Sequence, residues 1–191
     1  MPKTRNFSEN YISRLHSLLN SLDTEQFEGG INLIEATWTS GHQIITLGNG
    51  GSALTAQHYV NDWAKSISLT SGKPFRARCL CDNTGLLMSY ANDISYEDIF
   101  SEQLKVVLNP GDLVIGLSGS GNSENVIRAI RYANENDGIT LGVCGYDGGA
   151  LRKTAQHSVW APVNDMQLCE DVHLMFGHMV MQRLCGLPES V

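Results

Sequence analysis

"QIITLGNGGSALTAQHYVND", Gln43–Asp62, joins three signals in one short stretch. Ile44, Ile45, Thr46 and Leu47 form an apolar, partly β-branched run that reads as a buried strand. The glycines of "GNGGS" (Gly48–Ser52) then turn the chain, and an amphipathic helical pattern follows, with Ala56, Tyr59, Val60, Trp63 and Ile67 pointing toward a core. A strand that enters a helix through glycines is the first half of a crossover, the connection that parallel strands require. The same rhythm recurs at "ARCLC" (77–81), "DLVIGLS" (112–118), "ITLGVC" (139–144) and "HSVWAP" (157–162). Helices are expected near 52–67, 83–91, 96–107 and 122–136, with a long last helix near 166–185 that ends at Gly186 and Pro188. "NPGD" (Asn109–Asp112) reads as a turn before the third strand. Two helices open the chain: Phe7, Tyr11, Leu15, Leu18 and Leu22 recur at helical spacing, as do Phe27, Ile31, Ile34 and Trp38 behind the capping candidates Asp23 and Thr24. The fold class is α/β with a parallel sheet, and its functional edge is the carboxyl end of the strands.

A chain of 191 residues, 42% of them hydrophobic, buries one full core. A single domain is expected over 1–191, with leading helices to about 41, an α/β core over about 42–165 and the last helix over about 166–185. Thirteen Lys and Arg stand against 20 Asp and Glu, a formal charge of −7, which argues against a nucleic-acid footprint. The opening "MPKTRNFSENY" has no apolar signal region, and no run approaches the roughly 18 apolar residues of a membrane span, so a cytoplasmic location without membrane contact is expected. The five cysteines (Cys79, Cys81, Cys144, Cys169, Cys185) lack paired zinc spacing and read as buried reduced thiols.

Two strand-to-helix junctions carry small hydroxyl-bearing turns, "GNGGS" and "SGSGNS" (Ser118–Ser123). Their glycines let the backbone approach a ligand, and the helix behind each aims free N–H groups outward. A phosphate fits there, held by those N–H groups, the helix dipole and the hydroxyls of Ser118, Ser120 and Ser123. One such loop alone also reads as a tight turn capped by Ser; two in one sheet, flanking the point where strand order should reverse, favour a ligand. Neither has the GxGxxG pattern or a Lys-Ser/Thr ending, so a sugar phosphate suits them better than a nucleotide.

"GNGGS", "ANDISYEDIF" (Ala91–Phe100), "SGSGNS" and "GYDGG" (Gly145–Gly149) together resemble the sugar isomerase (SIS) domain family, and within it the phosphoheptose isomerase group, over essentially the whole chain. The resemblance implies a flavodoxin-like five-stranded parallel sheet with helices on both faces, preceded by two helices and assembled as a homotetramer with active sites at subunit interfaces. It also implies substrate contacts at Asn49, Gly50, Ser52, Asp62, Asn92, Asp93, Ser118, Gly119, Ser120, Ser123 and Glu170. For Asp93 an ordinary Asx turn is the competing reading.

His58 and Asp62 sit at i and i+4, on one helical face, where they can grip one divalent ion or form a solvated surface pair. The resemblance adds Glu170 and His178 from "CEDVHLMFGH" and makes zinc the expected ion. Two types differ from the family: Asp62 stands where it has Glu, and Glu170 where it has Gln. A set of two His and two carboxylates still suits a divalent metal. Catalysis is more sensitive, because a displacement of about 1 Å costs on the order of a hundredfold in rate. The family's substrate-contacting Arg falls on Ser66, and His173 reads as a packed structural residue.

The implied activity is aldose–ketose isomerisation of sedoheptulose 7-phosphate to glycero-manno-heptose 7-phosphate through an enediol, with Asp62 and His178 moving the protons. An isomerase of another sugar phosphate, and a non-catalytic tetrameric adaptor resembling the replication-initiator-associating protein, are the rivals. Glu170 and His178 lie eight residues apart, which on one helix means a rise of about 12 Å and a rotation of about 80°. Either the helix distorts near Gly177 or the ligands converge from different subunits; the expectation is that His178 serves a site whose His58 and Asp62 belong to another chain.

Overall fold

Ile44–Gly48 (β1), Ala77–Cys79 (β2), Leu113–Ser118 (β3), Ile139–Cys144 (β4) and His157–Trp160 (β5) pair in parallel in the order β2–β1–β3–β4–β5. They belong to a computed structural model that describes residues 6–186. The strand order is the flavodoxin-like one, and it reverses between β1 and β3. Every residue of these two strands is buried, as a sheet covered on both faces requires. Their register runs from Ile44 opposite Leu113 to Gly48 opposite Leu117, so the two Gly/Ser turns leave the sheet side by side. At the opposite edge Asp112 accepts from Gln43 N at 2.8 Å and from Asn109 N at 3.0 Å, tying the start of β1 to the turn before β3.

Phe7–Leu19 (α1) and Thr24–Thr39 (α2) open the chain, and Asp23 caps α2 by accepting from Glu25 N and Gln26 N. Gly51–Asp62 (α3) continues through a π turn, Trp63–Ile67, into Ser68–Ser71 (α4), a helical run somewhat longer than the expected 52–67. Thr84–Asp93 (α5) follows β2, with Asn83 capping it on Leu86 N at 3.0 Å. The helix expected over 96–107 is broken into a 3-10 turn at Tyr96–Asp98 and a helix at Ser101–Val107 (α6). Asp98 explains the break, because its carboxylate is held by Ser95 at 2.8 Å and by Arg128 at 2.9 and 3.0 Å. Glu124–Glu135 (α7) covers β3; Gly149–Thr154 (α8), which the sequence pattern did not suggest, makes the crossover to β5.

Met166–Cys185 (α9) packs along α3 in the same direction, so contacts advance together: Glu170 meets Gly51, and Gly177 meets Tyr59. Asp165 caps α9 by accepting from Leu168 N. Tyr59 and Trp63 stack with ring centroids 4.6 Å apart, and both are fully buried, worth roughly 2–3 kcal/mol each. Trp63 Nε1 donates to Gly177 O at 2.9 Å, and the Tyr59 hydroxyl donates to His173 O. Gly177 is what lets the helices close: a Cβ there would sit 2.2 Å from the Tyr59 ring. Four cysteines are buried free thiols, as expected, and Cys185 is partly exposed. No helix among the described residues is long and apolar enough to cross a membrane.

Gly177→Ala is expected to destabilise the protein by about 2–3 kcal/mol, because the stacked and hydrogen-bonded Tyr59 cannot swing aside. Urea unfolding measures this, and an unshifted midpoint contradicts a tight α3–α9 contact.

His173, expected to be a packed structural residue, is 1% exposed, and its Nε2 has no partner among the described residues. Burial pushes its pKa down from 6.5 to about 4, with a backbone carbonyl at Cys144 offsetting part of the shift. The unfolded chain therefore takes up the proton first as pH falls. The stability tied to the neutral imidazole is fully present above pH 6.5 and is lost on descent to about pH 4, a contribution on the order of 3 kcal/mol. Urea midpoints between pH 7 and 4.5 should fall less steeply for His173→Leu than for the unaltered protein; equal slopes contradict this assignment.

Candidate functional site

His58 and Asp62 project from the last turns of α3, and His178 projects from α9 directly across from them. His58 Nε2 lies 3.2 Å from Asp62 Oδ2 and 3.1 Å from His178 Nε2. One ligand atom from each of the three residues lies within 4.8 Å of the others, and all three residues are partly buried. Bonds of 2.0–2.1 Å to a tetrahedral ion imply ligand atoms about 3.3 Å apart, close to the two separations observed. Two imidazole nitrogens and a carboxylate facing inward share at most one or two protons, whereas a divalent ion satisfies all three lone pairs at once. The donor set thus fits a metal. Three protein ligands leave a fourth position for water or substrate, the pattern of catalytic and not of structural zinc.

The expectation was that His178 serves another chain; the geometry offers a grouping inside one chain. All three residues meet within one chain, because α9 runs beside α3 and brings His178 level with His58. Glu170, expected as a fourth ligand, is not in the group. It lies two turns earlier on α9, against the start of α3, with Oε1 2.6 Å from the position a Cβ on Gly51 would take. A carboxylate there is favoured by the N-terminal dipole of α3. The π turn that begins at Trp63, directly after Asp62, is a local irregularity that sequence periodicity did not reveal, and such turns concentrate at functional sites.

The two turns lie next to each other at the switch point. Asn49 Nδ2 donates to Asn125 Oδ1 at 2.8 Å, and Asn125 Nδ2 returns a bond to Asn49 Oδ1 at 3.0 Å. Tyr96 donates to Asn49 Oδ1 at 3.1 Å, which ties in the segment after α5. In the second turn Ser118 and Ser123 share a hydrogen bond at 3.1 Å, and Ser120 accepts from Asn122 N. Ser123, at the N-cap of α7, makes no side-chain capping bond; Val126 N donates to Asn125 Oδ1, and the N–H groups of Glu124 and Asn125 have no partner among the described residues and are left for a ligand. Gly121 has φ +67° and meets the "GYDGG" turn backbone to backbone; a Cβ on it would sit 2.1 Å from Gly148 O. Gly119 O accepts from Gly145 N at 2.9 Å, and Gly121 O accepts from Leu151 N at 2.8 Å, which holds the second turn rigid.

A cavity of about 510 Å³ opens beside the first turn, bounded by Asn49, Gly50, Gln57 and Tyr96. Another of about 720 Å³, bounded by Ser120, Asn122, Tyr146 and Trp160, opens beside the second. Ser52 is 7% exposed and Ser118 4%, so each offers little surface. Asn92 and Asp93 end α5 exposed and bonded to each other at 2.8 Å, with no hydrogen bond to either turn among the described residues. Sequence reasoning missed Asn125 and Tyr96. The signal for Asn125 was a polar residue beside Val126 and Ile127 on the buried side of an otherwise amphipathic helix.

A family model described as SIS domain matches residues 7–145. A probable phosphoheptose isomerase of Thermoplasma acidophilum is 34% identical over 84% of this chain and 87% of its own length. The phosphoheptose isomerase of Clostridium acetobutylicum is also 34% identical, over 87% of this chain and 82% of its own. Among solved structures, the phosphoheptose isomerase of Neisseria gonorrhoeae superposes with a TM-score of 0.84 at 24% identity, covering 93% of this chain and 97% of that one. The sequence match over most of the chain and the shared parallel-sheet fold lead to one conclusion: this protein belongs to the SIS domain family, as a relative of the phosphoheptose isomerases.

Proposed function

We propose that the protein is an aldose–ketose isomerase that converts sedoheptulose 7-phosphate to D-glycero-D-manno-heptose 7-phosphate, within heptose biosynthesis. The observation that carries this reading is the His58–Asp62–His178 group, whose donor separations of 3.1 and 3.2 Å suit one divalent ion. The names of the relatives supply the substrate. The three-donor group also favours an enzyme over an adaptor, which has no need of converging imidazoles. In this reading the chain is a single domain that works in the cytoplasm as a homotetramer.

The phosphate is assigned to the second turn, where Ser120, Ser123 and the open N-terminus of α7 supply donors. Glu170 decides against the first turn as a second anchor, because its carboxylate beside Gly51 repels a phosphate dianion. Asn49, Gly50 and Ser52 then contact the sugar chain. His58 lies seven residues along α3 from Gly51, about 10 Å, which suits a sugar chain that runs from the first turn to the carbonyl. His58, Asp62 and His178 would hold zinc, which when bound polarises the substrate carbonyl and acidifies the neighbouring C–H. A His178 Nε2 committed to an ion cannot also carry a proton. The shuttle between adjacent carbons therefore falls to Asp62, whose carboxylate has a second oxygen, and His178 holds the proton role only in the ion's absence.

Sedoheptulose 7-phosphate incubated with the zinc-loaded protein in deuterated water should gain deuterium at the carbon next to the carbonyl, faster than pentose or hexose phosphates. Chelation, or His178→Ala, should cut the rate at least a hundredfold, and zinc should restore only the chelated protein. Absence of exchange with every sugar phosphate at full zinc occupancy would sink the enzyme reading in favour of the adaptor.

A further inference from the structure

Beyond Gly48 and Leu117, the last pair between β1 and β3, no strand ladder holds the two turns in register. The hydrogen bonds that cross from residues 49–52 to residues 118–125, among those described, are the two between Asn49 and Asn125. Asn125 is 2% exposed, in the first turn of α7, and its Oδ1 accepts both Asn49 Nδ2 at 2.8 Å and Val126 N at 2.9 Å. Both lone pairs are filled, and the Val126 bond fixes which way the carboxamide faces. The group therefore has no free acceptor and almost no surface to offer a ligand. Asn49 is different: it is only partly buried, borders the cavity beside the first turn, and keeps one Nδ2 hydrogen uncommitted among the described bonds.

We propose that Asn125 is a positioning residue, which acts through Asn49 to set the spacing between the sugar-contacting turn and the phosphate-holding turn. A reciprocal pair of amide bonds is a two-point clamp: it fixes both the separation of the turns and the rotation of Asn49. Tyr96, bonded to the same Asn49 Oδ1 at 3.1 Å, is a third and weaker brace from the segment after α5. The inference rests on the proposed reading of the two turns, and it concerns affinity for a ligand long enough to touch both. A ligand held by the second turn alone should not sense it.

The test is calorimetry with sedoheptulose 7-phosphate and with inorganic phosphate, on the unaltered protein, Asn125→Ala, Asn49→Ala and the double variant. Asn125→Ala is expected to weaken the sugar phosphate about tenfold and inorganic phosphate less than twofold, and to add less than twofold in the Asn49→Ala background. Equal losses for both ligands, or a full tenfold loss on top of Asn49→Ala, overturn the proposal in favour of a general structural role. Tyr96→Phe, at an exposed position, covers the case in which Asn125→Ala does not fold: a two- to threefold loss confined to the sugar phosphate is expected, and no change overturns the brace. Hydrogen exchange separates this inference from the functional reading. If the unaltered protein binds no sugar phosphate, that reading fails, while faster exchange of amides 49–53 in Asn125→Ala still supports the clamp and unchanged exchange overturns it.

Discussion

The close approach of α3 and α9 at Gly177 is the contact on which the candidate site depends. It has no side chain of its own to contribute. What it permits is the burial of the Tyr59–Trp63 stack against the α9 backbone, with the Trp63 indole and the Tyr59 hydroxyl donating to carbonyls of that helix. Those two anchors fix both the separation and the relative phase of the helices. With the phase fixed, His178 has one place to go, level with His58, one residue beyond the glycine. A slip of one residue would turn its ring by about 100° and disperse the group.

The sheet supplies the second constraint. Parallel order places β1 beside β3 at the point of reversal, so two turns rich in glycine and serine emerge together. Each is made rigid by a different partner: the second by the "GYDGG" turn, backbone to backbone, and the first by Asn125 and Tyr96. The helix that leaves the first turn is the one that carries His58 and Asp62. Turn and metal-like group are thus two ends of one rod, and a ligand that spans them reads the length of that rod.

The five strands were legible because apolar runs bounded by turns have one reading in a chain of this length, and the caps at Asp23 and Asp165 show why the helices begin where they do. α8 escaped because a six-residue helix has too few residues to show a period. The break at Tyr96–Asp98 escaped because its cause, Arg128, lies 30 residues away from Asp98. His58 and Asp62 were visible as an i,i+4 pair, whereas the arrival of His178 depends on how two helices pack, a quantity that spacing along one helix does not contain. Glu170 is the converse case: its eight-residue separation from His178 was visible in the spacing, and α9 holds that separation without a break, so the carboxylate reaches the start of α3 and not the imidazoles.

In the proposed site one chain, through its own α3 and α9, presents His58, Asp62 and His178 to a single ion. Anomalous diffraction at the zinc edge, from crystals grown with zinc, tests it most directly. A peak is expected about 2.0–2.1 Å from His58 Nε2 and His178 Nε2 of the same chain, with an Asp62 oxygen at a similar distance and Glu170 outside the coordination sphere. A peak bridging His58 of one chain and His178 of another, or a zinc ion seated elsewhere with these three residues unligated, would contradict it.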